Sequence, residues 1–167
     1  MSESPLAALP AEPSPDAAAA ALVARGIGRL FARNDIWLMP EMSLRNGRRA
    51  DLMGIDPKGH IIIVEIKVQR GDLLGDGKWP DYLDYCDRFY WGIPPGLDRS
   101  PLDSDAYRPD CCGVVVADGY DGEIVRPAPL VPLAAARRKV EVERLARAAL
   151  RRLTVAGDAR CSAWGLA

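Results

Sequence analysis

The segment from residue 48 to residue 67, RRADLMGIDPKGHIIIVEIK, constrains the fold more than any other part of the chain. Its second arm, residues 60–68, is β-branched and mostly apolar, as a strand at the centre of a sheet should be. Asp56-Pro57-Lys58-Gly59 suits a three-residue turn, with Pro57 at the first corner and Gly59 in the left-handed conformation of a bulge. That turn pairs Asp56 with His60, and counting back along both arms sets Asp51 opposite Glu65. Opposed residues project to one side of a sheet, and the period of two brings Lys67 there as well. A two-residue turn at Pro57-Lys58 would shift the pairing by one and separate the acids, so the geometry depends on Gly59.

Charges at the end of a buried strand cost several kcal/mol unless something pairs with them. Two carboxylates converging beside a lysine suit metal-assisted phosphodiester hydrolysis. Mg²⁺ takes one or two carboxylates and keeps waters and substrate phosphate oxygens. A lysine can orient the attacking water or stabilise charge on the phosphorane. On the pattern alone, a salt-bridged cluster on an exposed sheet face fits Asp51, Glu65 and Lys67 equally well.

Asp51, followed after thirteen residues by Glu65-Ile66-Lys67, resembles the Asp…Glu-x-Lys signature of the PD-(D/E)XK nuclease superfamily. Residues 76–91, DGKWPDYLDYCDRFYW, together with the hairpin resemble the MmcB family of bacterial DNA repair proteins, over about residues 36–153. The resemblance implies an α/β domain with a restriction-endonuclease-like core. Its mixed sheet would carry flanking helices in αβββαβ order, plus a basic C-terminal helix. It further implies action on DNA during repair, in the company of other repair proteins. Asp51 and Glu65, helped by the main-chain carbonyl of Ile66, would ligate Mg²⁺ or Mn²⁺, and Lys67 would be the catalytic lysine. Related nucleases often carry a further acid in the first helix, but residues 17–33 contain none; Glu41 on the next strand is the candidate substitute.

With 167 residues, 49% of them hydrophobic, the chain has material for one globular core. No run is long and apolar enough to span a membrane, and the start lacks the basic and apolar regions of a signal peptide. The four cysteines show no zinc-ligand spacing, so reduced thiols in a cytoplasmic protein are expected. A single histidine, His60, excludes Ser-His-Asp and Cys-His mechanisms within one chain. Net charge is −1, but residues 133–153 hold seven Lys/Arg against two Glu, a basic helix on an acidic body and a candidate phosphate-facing element.

Residues 1–14 are expected to be a disordered tail, 15–155 the nuclease-like domain, and 156–167 a C-terminal tail. Ser14-Pro15 starts a helix that runs to about residue 33, where Gly26 and Gly28 either weaken it or allow close packing on a sheet. Residues 36–44 form the first strand. An Asn46-Gly47 hairpin turn then sets Glu41 opposite Leu52, facing away from the site unless a bulge recruits it. Asp72 and Asp76, in a glycine-rich loop, read more readily as turn formers than as ligands. Residues 79–90 read as a helix with Trp79, Leu83, Cys86 and Tyr90 in the core, and with Lys78, Asp81 and Tyr85 bordering the site. Residues 94–109 read as a long polar loop, 111–117 as a second buried strand and 123–125 as a short one. Prolines 127, 129 and 132 stiffen the link to the basic helix.

Arg48 and Arg49 flank the hairpin and can meet phosphate. Arg137, Arg144, Arg147 and Arg151 form the basic face, for which a merely solvated surface is the competing reading. A catalytically silent DNA-binding or scaffold module is the rival to the hydrolase. A glycosidase pair is weaker, because Lys67 has no role in it.

Overall fold

The computed structural model describes residues 12–158, 160 and 161, so the expected tail at residues 1–14 lies almost wholly outside the described residues. Ser14 accepts a hydrogen bond from the Ala17 N–H and Pro15 opens the first helix, α1 (Pro15–Ala32). Three strands follow, β1 (Trp37–Ser43), β2 (Arg49–Ile55) and β3 (Ile61–Ile66). A short helix, α2 (Arg70–Gly75), and a 3₁₀ segment, Trp79–Tyr85, lead to β4 (Arg88–Ile93). After two further 3₁₀ turns come β5 (Cys112–Ala117), β6 (Gly122–Arg126) and α3 (Ala135–Gly157). The last helix therefore runs slightly past residue 155.

The six strands lie in chain order, β1 to β6. The central pairs β3–β4 and β4–β5 are parallel; β1–β2, β2–β3 and β5–β6 are antiparallel. Every residue of β3 is buried, as its unbroken apolar run requires of a strand covered on both faces. On one face, Val23, Ile27 and Phe31 of α1 pack on Leu52, Ile62, Val64, Tyr90 and Val115. Gly26 permits this approach, because a Cβ there would come within 2.1 Å of the Asp118 carbonyl oxygen. The other face is covered by the 3₁₀ segments and Leu145 of α3, around Ile63, Phe89, Trp91 and Val114.

The helix expected over residues 79–90 is not formed. Its first part is a 3₁₀ turn and its second part is the central strand β4. Phe89, Trp91 and Ile93 enter one core while Tyr90 enters the other, a period of two that the aromatic residues favour. The start of β4 is pinned by Asp87, which is 1% exposed. Its carboxylate accepts the N–H groups of Ile61 and Leu133, both at 2.8 Å, and binds the Arg138 guanidinium of α3. The stretch 94–109 is not simply a polar loop either, since its 3₁₀ turns bury Leu102 and Tyr107.

Candidate functional site

The second hairpin has the expected register. Asp56 N–H donates to the His60 carbonyl at 3.0 Å, Gly59 N–H donates to the Asp56 carbonyl at 2.9 Å, and Gly59 has φ +82°. The Asp56 carboxylate accepts the Lys58 and His60 N–H groups as well, fixing the turn. Pairing runs from Ile55–Ile61 to Leu52–Val64, which puts Asp51 and Glu65 at the next level. There β2 leaves β3, and Asp51 Oδ2 accepts the Ile66 N–H at 2.7 Å.

Glu65 is 6% exposed and Lys67 8%. The Lys67 ammonium lies 2.8 Å from Asp76 Oδ2 and 3.3 Å from Glu65 Oε1. Burial works against that charge, yet Asp76 and Glu65 hold its pKa above the usual lysine value. Two carboxylates thus share one ammonium, with the charge of Asp51 close enough to feel it. Burial first, and the Asp51 charge second, push Glu65 up to about 7. Burial also raises Asp51, against the opposing pull of the Ile66 N–H and Lys67. Glu65 Oε2 is buried without a hydrogen-bond partner among the described residues, and so is Nε1 of Trp91, which pairs with Glu65 across β3–β4.

Two tyrosines close the cluster. Tyr82 donates to the Arg49 carbonyl at 3.1 Å and Tyr107 to the Leu73 carbonyl at 2.9 Å. Burial, followed by nearby carboxylate charge (Glu65, Asp51 and Asp76 for Tyr82; Asp76 for Tyr107), raises the pKa of each phenol. The spacing of three in a 3₁₀ turn buries Trp79, Tyr82 and Tyr85 together. Tyr85, expected to border the site, instead carries Arg137 over its ring at 5.1 Å. Lys78 is exposed beside Asp76, whose Oδ1 accepts the Lys78 N–H at 3.1 Å. Asp76 is therefore both the turn former the sequence suggests and a member of the cluster. Tyr82 has no spacing signal when 79–90 is read as an α-helix, and Asp76 lies in the preceding loop, where no periodicity applies.

Glu41 is not opposite Leu52. Pro40 pairs with Leu52 and Met42 with Ala50, so Glu41 is level with Asp51. The reason is the first hairpin: Leu44 N–H donates to the Arg48 carbonyl at 2.7 Å around a three-residue loop ending at Gly47, φ +81°. A two-residue Asn46-Gly47 turn would have moved the register by one. Glu41 itself has φ +52°, its carboxylate lies 3.5 Å from Arg49, and its charge raises the Asp51 pKa.

The other arginines divide. Arg48 binds Asp81 through two nitrogens at 3.0 and 2.9 Å. Arg144 bridges Glu141, at 2.8 Å, and the Ser43 carbonyl. Arg147 and Arg151 are exposed and have no carboxylate partner among the described residues. Arg152, outside the expected face, donates to the carbonyls of Pro40 at 2.6 Å and Glu41 at 3.1 Å.

The residues present fit a hard divalent cation in one respect: buried carboxylate oxygens, one without a partner, converge with excess negative charge. No group of three or more His, Cys, Asp or Glu side chains among the described residues is placed to hold a metal ion. Mg²⁺ does not require such a group, because it keeps several waters.

Fold and site together define a mixed-sheet α/β domain with a buried acid–lysine cluster where a central hairpin opens. A family model described as MmcB-like, DNA repair protein MmcB-like, matches residues 9–160, and the chain belongs to that family. Membership supports a role in DNA repair. The chain is also similar to a solved structure of a protein of unknown function from Silicibacter pomeroyi, at 36% identity. That match covers 91% of this chain and 96% of the other, with a TM-score of 0.76. Comparison with curated proteins gave no match. No helix among the described residues is long and apolar enough to cross a membrane.

Proposed function

We propose that the protein is a DNA hydrolase of restriction-endonuclease-like fold, cutting phosphodiesters with Mg²⁺ or Mn²⁺ at the Asp51–Glu65–Lys67 cluster. The observation that carries this reading is Glu65 Oε2, buried and unpartnered beside Asp51. An acid raised to about 7 by burial first, and by the Asp51 charge second, gains most from a cation. Asp51, through the oxygen not committed to Ile66, and Glu65 would hold the ion, with the Ile66 carbonyl as a further ligand. The ion would polarise a phosphoryl oxygen and lower the pKa of a water.

The chain's own residues do the remaining work. Lys67, kept protonated by Asp76, donates to the attacking water or to the phosphorane oxygens. Tyr82 and Tyr107 wall the cluster and limit its exposure to solvent. Arg49, beside Glu41, supplies positive charge at the mouth. The test is cleavage of labelled single-stranded, duplex and branched DNA, with wild type beside Lys67→Ala. Metal-dependent product that vanishes in the variant supports the hydrolase.

A second reading, a silent DNA-binding or scaffold module, is favoured by Lys67 being already held between Glu65 and Asp76. It predicts DNA binding without product on any of these substrates.

A further inference from the structure

We propose that the cleft between β1 and the C-terminal half of α3 seats a single unpaired nucleic-acid strand and delivers it to the Asp51 cluster. The cleft has a volume of about 660 Å³, with Glu41, Met42 and Ser43 on one wall and α3 on the other. That size is in the range of about 300–1,000 Å³ typical of small-ligand sites, room for a few nucleotides of one strand and not for a double helix.

Its charge selects the occupant. Arg144, Arg151 and Arg152 all line it. Arg152 spends its hydrogen bonds on main-chain carbonyls, which orient the guanidinium without neutralising it. Arg151 is exposed with no carboxylate partner among the described residues. The carboxylate on the opposite wall, Glu41, is offset by Arg49. Met42 on one wall and Ala148 and Val155 on the other are apolar. Oriented arginines beside aliphatic walls match the phosphates and sugars of a strand's backbone, without reading its bases. An acidic peptide would satisfy the arginines too, but membership of a DNA repair family favours a nucleic acid whether or not the acid cluster cuts it.

The direction of the strand rests on the proposed hydrolase; binding in the cleft does not. Glu41 lines the cleft and is level with Asp51, and its charge reaches the Asp51 carboxyl. A strand leaving the cleft at Glu41 and Arg49 therefore meets the acid cluster next.

Binding of a labelled single-stranded oligonucleotide to the full chain, followed by anisotropy in EDTA over a range of salt, tests this. Arg151→Ala should weaken binding several-fold and reduce the slope of log affinity against log salt by about one. Ala156→Trp, at an exposed position lining the cleft, should block it without touching the core. Arg25→Ala, on the exposed side of α1 across the sheet, should leave it unchanged. Cys161 lines the cleft while Cys86, Cys111 and Cys112 are buried, so the oligonucleotide should slow alkylation of the native protein at Cys161. Wild-type affinity in both Arg151→Ala and Ala156→Trp overturns the proposal. So does an equal loss in Arg147→Ala, outside the cleft, or tighter binding of duplex or of a poly-glutamate peptide. Because binding is read without a divalent cation, this pattern with no cleavage by wild type would sink the hydrolase and leave the cleft standing.

Discussion

The carboxylate of Asp51 occupies the Ile66 N–H, at 2.7 Å, where β2 has parted from β3. A side chain replaces the backbone at the end of the ladder, so the acid is aimed by the strand it departs from. Removing it leaves a part-buried N–H without an acceptor. Asp51→Ala should cost about 1–3 kcal/mol, whereas Asp51→Asn, which keeps an acceptor, should cost much less. Both should abolish any stabilisation by Mg²⁺, read as a thermal shift. Equal denaturation midpoints for Ala and Asn would show that the hydrogen bond contributes little.

Glu65 gives stability an unusual slope. Its pKa rises on folding, from 4.5 to about 7, so the folded protein holds a proton that the unfolded chain has lost. Without divalent cations, stability should fall as pH climbs from about 4.5 to 7 and then level off. Glu65→Gln should flatten that limb and gain on the order of 2–3 kcal/mol at pH 8. Urea denaturation in EDTA at a series of pH values measures it. An unchanged slope in the variant would refute the assignment.

Asp87 works in the opposite sense. Burial alone would raise its pKa, but the Arg138 guanidinium and the N–H groups of Ile61 and Leu133 hold it below 3.8. Its contribution is present above the unfolded value near 3.8 and is lost as pH falls through the lower folded value. Asp87→Asn should therefore destabilise by about 3–5 kcal/mol at neutral pH and lose part of the acid transition. A full-length acid limb in the variant would contradict this.

Gly59 has open space around it but sits at φ +82°. Gly59→Ala should cost about 1–2 kcal/mol through backbone strain alone. Where the strain is relieved by a shift of register, hydrolysis should fall further than stability does. Comparing the denaturation midpoint with cleavage rate separates the two effects.

The hairpin carrying Asp51 and Glu65 was legible because Asp56 and Gly59 specify one loop length. The preceding hairpin was not, because Asn46-Gly47 is compatible with loops of two or three residues, and Leu44 pairing with Arg48 selects the longer. Residues 79–90 misled because Trp79, Leu83, Cys86 and Tyr90 fall at helical spacing while 88–93 also alternate. Burial on both faces of β4 decided for the strand, and that is a tertiary effect. Ser14-Pro15 and the basic C-terminal helix followed directly from local chemistry. Asp76 reached the cluster through a loop whose path no periodicity reports.

The middle of β1 has a consequence for association. Pro40 offers no N–H, Glu41 turns the backbone left-handed, and Arg152 occupies both their carbonyls. An outer strand with free amides and carbonyls invites a second chain to extend the sheet. Here the side of the sheet nearest the acid cluster is sealed against that growth, so two copies meeting at β1 find no continuous ladder to share.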